Sequence, residues 1–230
     1  EKGKVQDEHK AELNVLLKNK RVLIIGPGKS SVEEKDKIID FAKKADVKVI
    51  TVNFDYDYCK SDFIFISNLR RFRELDENSY ARCIVTSNIS AKGVYCQTKY
   101  RDLLNTEEAV RDNAAMMAIK WFISCGVKEI YLAGIDGYSH DARDNYGKDD
   151  MAFFTRNAVL DAINAGMCKV LREFSEKVKI EFLTMPRYVN LDKGGKGDMR
   201  ELDKQMFGGG IWLTTNNHRS AALLNNGRAA

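Results

Sequence analysis

A short apolar run that ends in a glycine turn, Arg21-Val-Leu-Ile-Ile-Gly-Pro-Gly-Lys-Ser30, narrows the folds open to this chain. Arg21 to Ile25 shows no polar alternation, the pattern of a strand covered on both faces. Apolar positions at Ile38, Ile39, Phe41 and Ala42 follow the turn at helical spacing. Strand, tight turn and helix in that order predict an α/β unit. The turn also predicts an anion site, because the first N–H groups of a helix have no intrahelical partner and point outward. Gly26 and Gly28 let the backbone bend and approach a ligand, while Lys29 and Ser30 add a charge and a hydroxyl. The expected occupant is a phosphate, and the competing reading is a strand-to-helix turn with no ligand.

Two common phosphate turns fail on position. A Walker A loop requires Gly five residues before Gly28, where this chain has Leu23 inside the strand. The dinucleotide fingerprint requires Gly at position 31 and an acid near the end of the second strand; the chain has Ser31 and Asn53. Neither an NTPase nor an NAD enzyme is supported.

The remaining elements continue the alternation. Residues 4–18 read as a polar lead-in helix with Leu13, Val15, Leu16 and Leu17 as its apolar side. A helix follows the turn to about Lys44, and strands are expected at Val47 to Val52, Phe63 to Ile66 and Cys83 to Val85. A basic segment, Arg70-Arg71-Phe-Arg73, opens a short helix. Three successive strands run out at Asn53, Asn68 and Asn88. Ligands of open α/β sheets bind outside the carboxyl ends of the strands, and an Asn there offers both a donor and an acceptor. Asn is also a turn and N-cap residue, but three at equivalent places favour a ligand role.

Val94 to Gln97 reads as a short extra strand, and Asn105-Thr-Glu-Glu108 as a capping box opening a long helix to Cys125. Lys128 to Ala133 is the next strand, running into Gly134-Ile135-Asp136-Gly137-Tyr138. Asp136 at that strand end can bind ribose hydroxyls, hold a metal, act as a base or cap the turn. Residues 139–150 read as a mobile polar loop over the crevice. A helix from about Ala152 to Lys177 and a strand from Ile180 to Leu183 complete the pattern. The expected fold is a Rossmann-like three-layer α/β sandwich with a mostly parallel sheet. Its divisions are a lead-in helix or linker over 1–19, the nucleotide-binding domain over 20–190, and a Gly/Asn-rich tail over 191–230 whose role the sequence does not assign.

Composition bounds the partners. With 230 residues, 44% hydrophobic and 30% charged, the chain has the profile of an ordinary soluble protein. Its net charge of +4 is spread along the chain, so it argues only weakly for nucleic acid, and no nucleic-acid partner is expected. No apolar run approaches a membrane span and no signal peptide precedes the first strand. The five cysteines are odd in number and contain no Cys-x-x-Cys pair, so they read as reduced core residues of a cytoplasmic protein. The histidines at 9, 140 and 218 are too scattered for a metal cluster, and no metal ligand set is assigned. Glu1 is not Met, so a piece of a longer protein or a processed product is expected.

Gly26-Pro-Gly-Lys-Ser30, Asn53, Phe65-Ile-Ser-Asn68 and Val127-Lys-Glu-Ile-Tyr-Leu-Ala-Gly-Ile-Asp-Gly-Tyr138 resemble the bacterial lipooligosaccharide sialyltransferases and their domain-of-unknown-function (DUF) relatives. The resemblance covers about residues 20–186, and its most specific part is Val127 to Tyr138. It implies that Gly26, Gly28, Lys29, Ser30, Asn53, Asn68, Gly134, Ile135 and Tyr138 surround a nucleotide such as the CMP of a CMP-sugar, and the strand-end position adds Asn88 to the expected binding set. On that reading Asp136, Tyr138 and His140 are expected to face the reacting group, with Asp136 and His140 as the candidate catalytic residues. More narrowly, the chain resembles the C-terminal domain fused behind HMGL-like aldolases of 4-hydroxy-2-oxovalerate type, which implies an aldolase domain as partner. A homo-oligomer is also compatible with it.

The sialyltransferases carry a catalytic His after the Gly-Ile-Asp turn. The matching region here, Gly147-Lys-Asp-Asp-Met-Ala-Phe-Phe-Thr-Arg-Asn157, has none, and His140 is displaced. The resemblance therefore implies nucleotide or nucleotide-sugar binding, in surface-polysaccharide synthesis, more directly than sialyl transfer. One alternative is a pterin-type diphosphokinase, with metal held by Asp136, Asp141 and Asp144. The other is a non-catalytic accessory domain of the aldolase.

Overall fold

The computed structural model describes residues 11–147, 155–186 and 188. The tail over 191–230, the first ten residues and most of the segment expected to hold a family His lie outside the described residues. The elements are a helix α1 over 11–17, β1 (Arg21–Ile25), α2 (Ser30–Glu33), α3 (Lys35–Ala42), β2 (Val47–Val52), β3 (Phe63–Ile66) and α4 (Leu69–Arg73). Then come β4 (Cys83–Thr86), β5 (Cys96–Thr98), α5 (Tyr100–Leu103), α6 (Ala114–Ser124), β6 (Glu129–Ala133), α7 (Asn157–Ser175) and β7 (Lys179–Phe182).

The strands form a seven-stranded sheet in the order β5-β4-β3-β2-β1-β6-β7, and every pairing is parallel. The α/β Rossmann-like sandwich expected from the sequence is the fold observed. The apolar runs read as double-faced strands because they are. Val22 and Ile24 of β1 face the cluster containing α6 and α7, while Leu23 and Ile25 face the one containing Ile38 and Phe41 of α3. The same division splits Ile130 and Leu132 from Tyr131 and Ala133 in β6.

Three local expectations change. The helix after the glycine turn is broken at Glu34 into α2 and α3. The capping box at Asn105 does not open α6; the buried Asn105 amide donates to the Val110 carbonyl (3.0 Å), and a 3-10 turn spans Glu108–Val110. The helix starts later because Asn113 is extended (φ −60°, ψ 120°), and its Oδ1 accepts from the N–H groups of Ala115 and Met116. In α1, Leu13 and Leu17 are fully buried in the main core, whereas Val15 is 79% exposed. Positions four apart lie on one face of a helix, so only Leu13 and Leu17 of the four expected apolar residues reach the core. Among the described residues, no helix is long and apolar enough to cross a membrane.

Candidate functional site

Parallel strands all end on the same edge. The chain adds strands in one direction from β1 through β5 and then returns to place β6 on the other side of β1. That reversal leaves a crevice at the strand ends. A cleft of about 430 Å³ lies there, lined by the ends of β2, β3 and β6, the glycine turn and the start of α6.

The two turns that flank the reversal are locked together. Gly26 N–H donates to the Ala133 carbonyl (2.8 Å) and Gly28 N–H to the Gly134 carbonyl (2.7 Å). Asp136, only 3% exposed, then reaches across: its Oδ2 accepts from the Ser30 N–H (2.8 Å) and its Oδ1 from the Ser30 hydroxyl (2.5 Å). Thr184 joins this network, with its hydroxyl 2.7 Å from Ser30 Oγ and accepting from the Gly134 N–H (2.8 Å). The glycines serve this packing. A Cβ on Gly28 would lie 2.5 Å from the Asp136 carboxyl carbon and 2.6 Å from the Gly134 carbonyl oxygen. Gly134 itself has φ +62°, a conformation that L side chains rarely adopt.

The phosphate cradle expected at Gly26–Ser30 is therefore filled by the protein's own carboxylate. The anion position at the start of α2 exists, and Asp136 occupies it. Lys29 is directed elsewhere, pairing with Asp144 (3.1 Å) and Glu33 (3.9 Å), and neither Lys29 nor Ser30 lines the cleft. Gly26 likewise lies outside the lining, while Gly28, Gly134, Ile135, Asp136 and Tyr138 contribute to it.

The strand-end asparagines divide. Asn53 lines the cleft in the left-handed conformation (φ 67°), and its Oδ1 is buried without a hydrogen-bond partner among the described residues. Asn is one of the few side chains that tolerate this backbone region. Its backbone N–H donates to the Phe65 carbonyl (3.0 Å), which fixes the main chain at the cleft wall. Asn68 lines the cleft and caps α4 by accepting from the Arg70 N–H (2.9 Å). Asn88 does not line it: its amide donates to the Ser67 carbonyl (3.1 Å) and its Oδ1 accepts from the Thr86 hydroxyl (2.5 Å).

On the β6 side, the Tyr138 and Tyr146 hydroxyls lie 3.2 Å apart, and both residues line the cleft. Burial pushes the Tyr138 phenol above its ordinary value, keeping it protonated at neutral pH. The part of the 139–150 loop that the structure describes is tied down. Asn145 brackets Ser139 by accepting its N–H (2.5 Å) and donating to its carbonyl (3.1 Å), and the Gly147 N–H donates to the Pro27 carbonyl (3.0 Å). His140 pairs with Asp161 on α7 (2.8 Å) and stays out of the lining. Asp141 and Asp144 are also outside it, paired with Arg143 and Lys29, so the three acids considered for a metal do not converge.

Arg71 is one of several lining residues that sequence reasoning missed, with Phe54, Tyr100, Asp112, Asn113, Asn145 and Tyr146. The basic segment was visible, but only the phase of α4 separates a solvent-facing Arg70 (75% exposed side chain) from a cleft-facing Arg71 (17%).

The fold and the cleft define a class: a Rossmann-like α/β domain with a polar crevice at its topological switch point. The chain matches no protein-family model and no curated protein.

Proposed function

We propose that the cleft binds a nucleotide or nucleotide sugar, and that the protein is a nucleotide-binding domain of glycosyltransferase type serving surface-polysaccharide synthesis. Asn53 carries the reading. A buried amide oxygen without a partner costs about 1–3 kcal/mol, and a ligand N–H or O–H placed against it removes that penalty. Base edges and sugar hydroxyls both present such donors. Asn53 does this from a backbone conformation few residues tolerate, at the crevice where α/β sheets hold their ligands. Tyr138 and Tyr146 supply ring surface and a protonated hydroxyl on the other side.

The resemblance to the sialyltransferases points the same way, and with it the proposal extends to a place behind an aldolase domain in a longer protein. Binding is the part supported by geometry. Asp136 has both carboxylate oxygens engaged with Ser30, and His140 lies outside the cleft lining, so neither is offered to a ligand there as a base.

A thermal-shift screen of nucleoside mono-, di- and triphosphates and CMP-sugars, with and without magnesium, tests the reading. Ligand at ~100 times its dissociation constant adds about 2.7 kcal/mol of stability. In a domain of this size that is a rise of roughly 5–10 °C in Tm. No response to any nucleotide or nucleotide sugar would end the proposal.

A further inference from the structure

A nucleotide needs an anion partner as well as a base partner, and the helix start first expected to provide one is closed by Asp136. The start of α6 is also occupied, since Asn113 Oδ1 already accepts from the Ala115 and Met116 N–H groups. Lys29 stands outside the cleft in its pairs with Asp144 and Glu33. Among the described residues that line the cleft, Arg71 is the one cationic side chain.

Its setting suits the task. The side chain is 17% exposed, and its guanidinium carbon sits 5.9 Å from the centroid of the Phe54 ring, another lining residue. Nη1 donates to Glu74 Oε2 (2.6 Å). A guanidinium carries five N–H donors in a planar fork, so one bond to Glu74 steadies the group and leaves donors for a ligand. Guanidinium forks match the paired oxygens of a phosphoryl group. Asn68, one turn earlier on the same wall, uses its Oδ1 for the cap, and an amide always keeps its NH2 as a further donor.

We propose that Arg71 is the residue that holds the phosphoryl group of the bound nucleotide, replacing the glycine turn in that role. This rests on the nucleotide reading above. The phosphoryl group lies against α4, and Asn53 at the end of β2 meets the uncharged part of the ligand.

The test compares each nucleoside 5′-monophosphate with its own nucleoside by titration calorimetry on the full chain. The proteins are wild type, Arg71→Gln, Arg71→Lys and Lys29→Gln. Losing a hydrogen bond to a charged group lowers affinity about 10- to 100-fold. Wild type should therefore prefer the monophosphate by about that factor, and Arg71→Gln should reduce the preference to within about threefold while nucleoside affinity holds. Arg71→Lys should keep part of the preference, and Lys29→Gln all of it.

The assignment fails if Arg71→Gln keeps the full preference, or if Lys29→Gln loses it, which would return the phosphate to the glycine turn. It also fails if wild type binds nucleoside and monophosphate equally, an outcome that leaves the nucleotide-type cleft standing. If Arg71→Gln and Arg71→Lys both lose the nucleoside too, Arg71 only shapes the wall and the assignment is overturned. If wild type binds neither ligand, this inference and the functional reading fall together.

Discussion

Replacing Asp136 by Ala should unlock the two turns at the head of the sheet, because its carboxylate bridges them. It accepts one bond from the Ser30 N–H at 2.8 Å and one from the Ser30 hydroxyl at 2.5 Å, and both residues are buried. The hydroxyl keeps a neighbour in Thr184 at 2.7 Å, so the main cost falls on the Ser30 N–H. A buried donor left unpaired costs about 1–3 kcal/mol, and a bond to a charged acceptor contributes about 1.5–3 kcal/mol. Relief of the carboxylate's own desolvation offsets part of this. The net loss should be about 2–3 kcal/mol, a fall of roughly 5–10 °C in Tm. Asp136→Asn keeps one acceptor oxygen and should lose about half as much. Urea unfolding with calorimetry on both variants measures it. A variant as stable as wild type, or more stable, would refute the reasoning and mark Asp136 as a residue kept for a ligand at the expense of stability.

Gly28→Val should destabilise the fold by about 1–3 kcal/mol or more through overpacking, since its Cβ would meet Asp136 and Gly134. Full stability with loss of ligand alone would instead place Gly28 against the ligand, the role its sequence context suggests. Leu17→Ala should cost about 2–5 kcal/mol in urea unfolding, because Leu17 is fully buried in the main core. A cost near zero would make α1 a dispensable linker. The cysteines at 59, 83, 96, 125 and 168 are all free and buried, and burial pushes the Cys83 thiol up to about 12. They should resist a thiol reagent at pH 8 in the native state and all react in denaturant; rapid native labelling would contradict that burial.

The sheet was legible because its signal is local. Apolar runs such as Val47 to Val52 and Phe63 to Ile66 end where the structure ends them, since a strand buried on both faces tolerates no interruption. The start of α6 was misplaced because two cap-like sites, Asn105 and Asn113, lie eight positions apart and only the packing of Val110 into the core decides between them. In the site, sequence placed the right turns at the right end of the sheet but not their contacts. The Ser30–Asp136 bond joins residues 106 positions apart, and no local pattern reports that a carboxylate from one turn fills the anion position of another. The three asparagines looked equivalent along the chain. They differ because β2 and β3 stand nearer the reversal at β1 and β6 than β4 does, so Asn53 and Asn68 open on the cleft while Asn88 folds back onto Ser67.

The most direct test of the account is amide chemical-shift mapping by NMR as a nucleoside 5′-monophosphate is titrated into the chain. Saturable shifts should centre on Asn53, Phe54, Arg71, Gly137 and Tyr138, which line the cleft, and should spare Lys29 and Asn88, which do not. Shifts centred on Lys29, or none at millimolar nucleotide with any of the bases, would contradict the claim that this cleft is a nucleotide site.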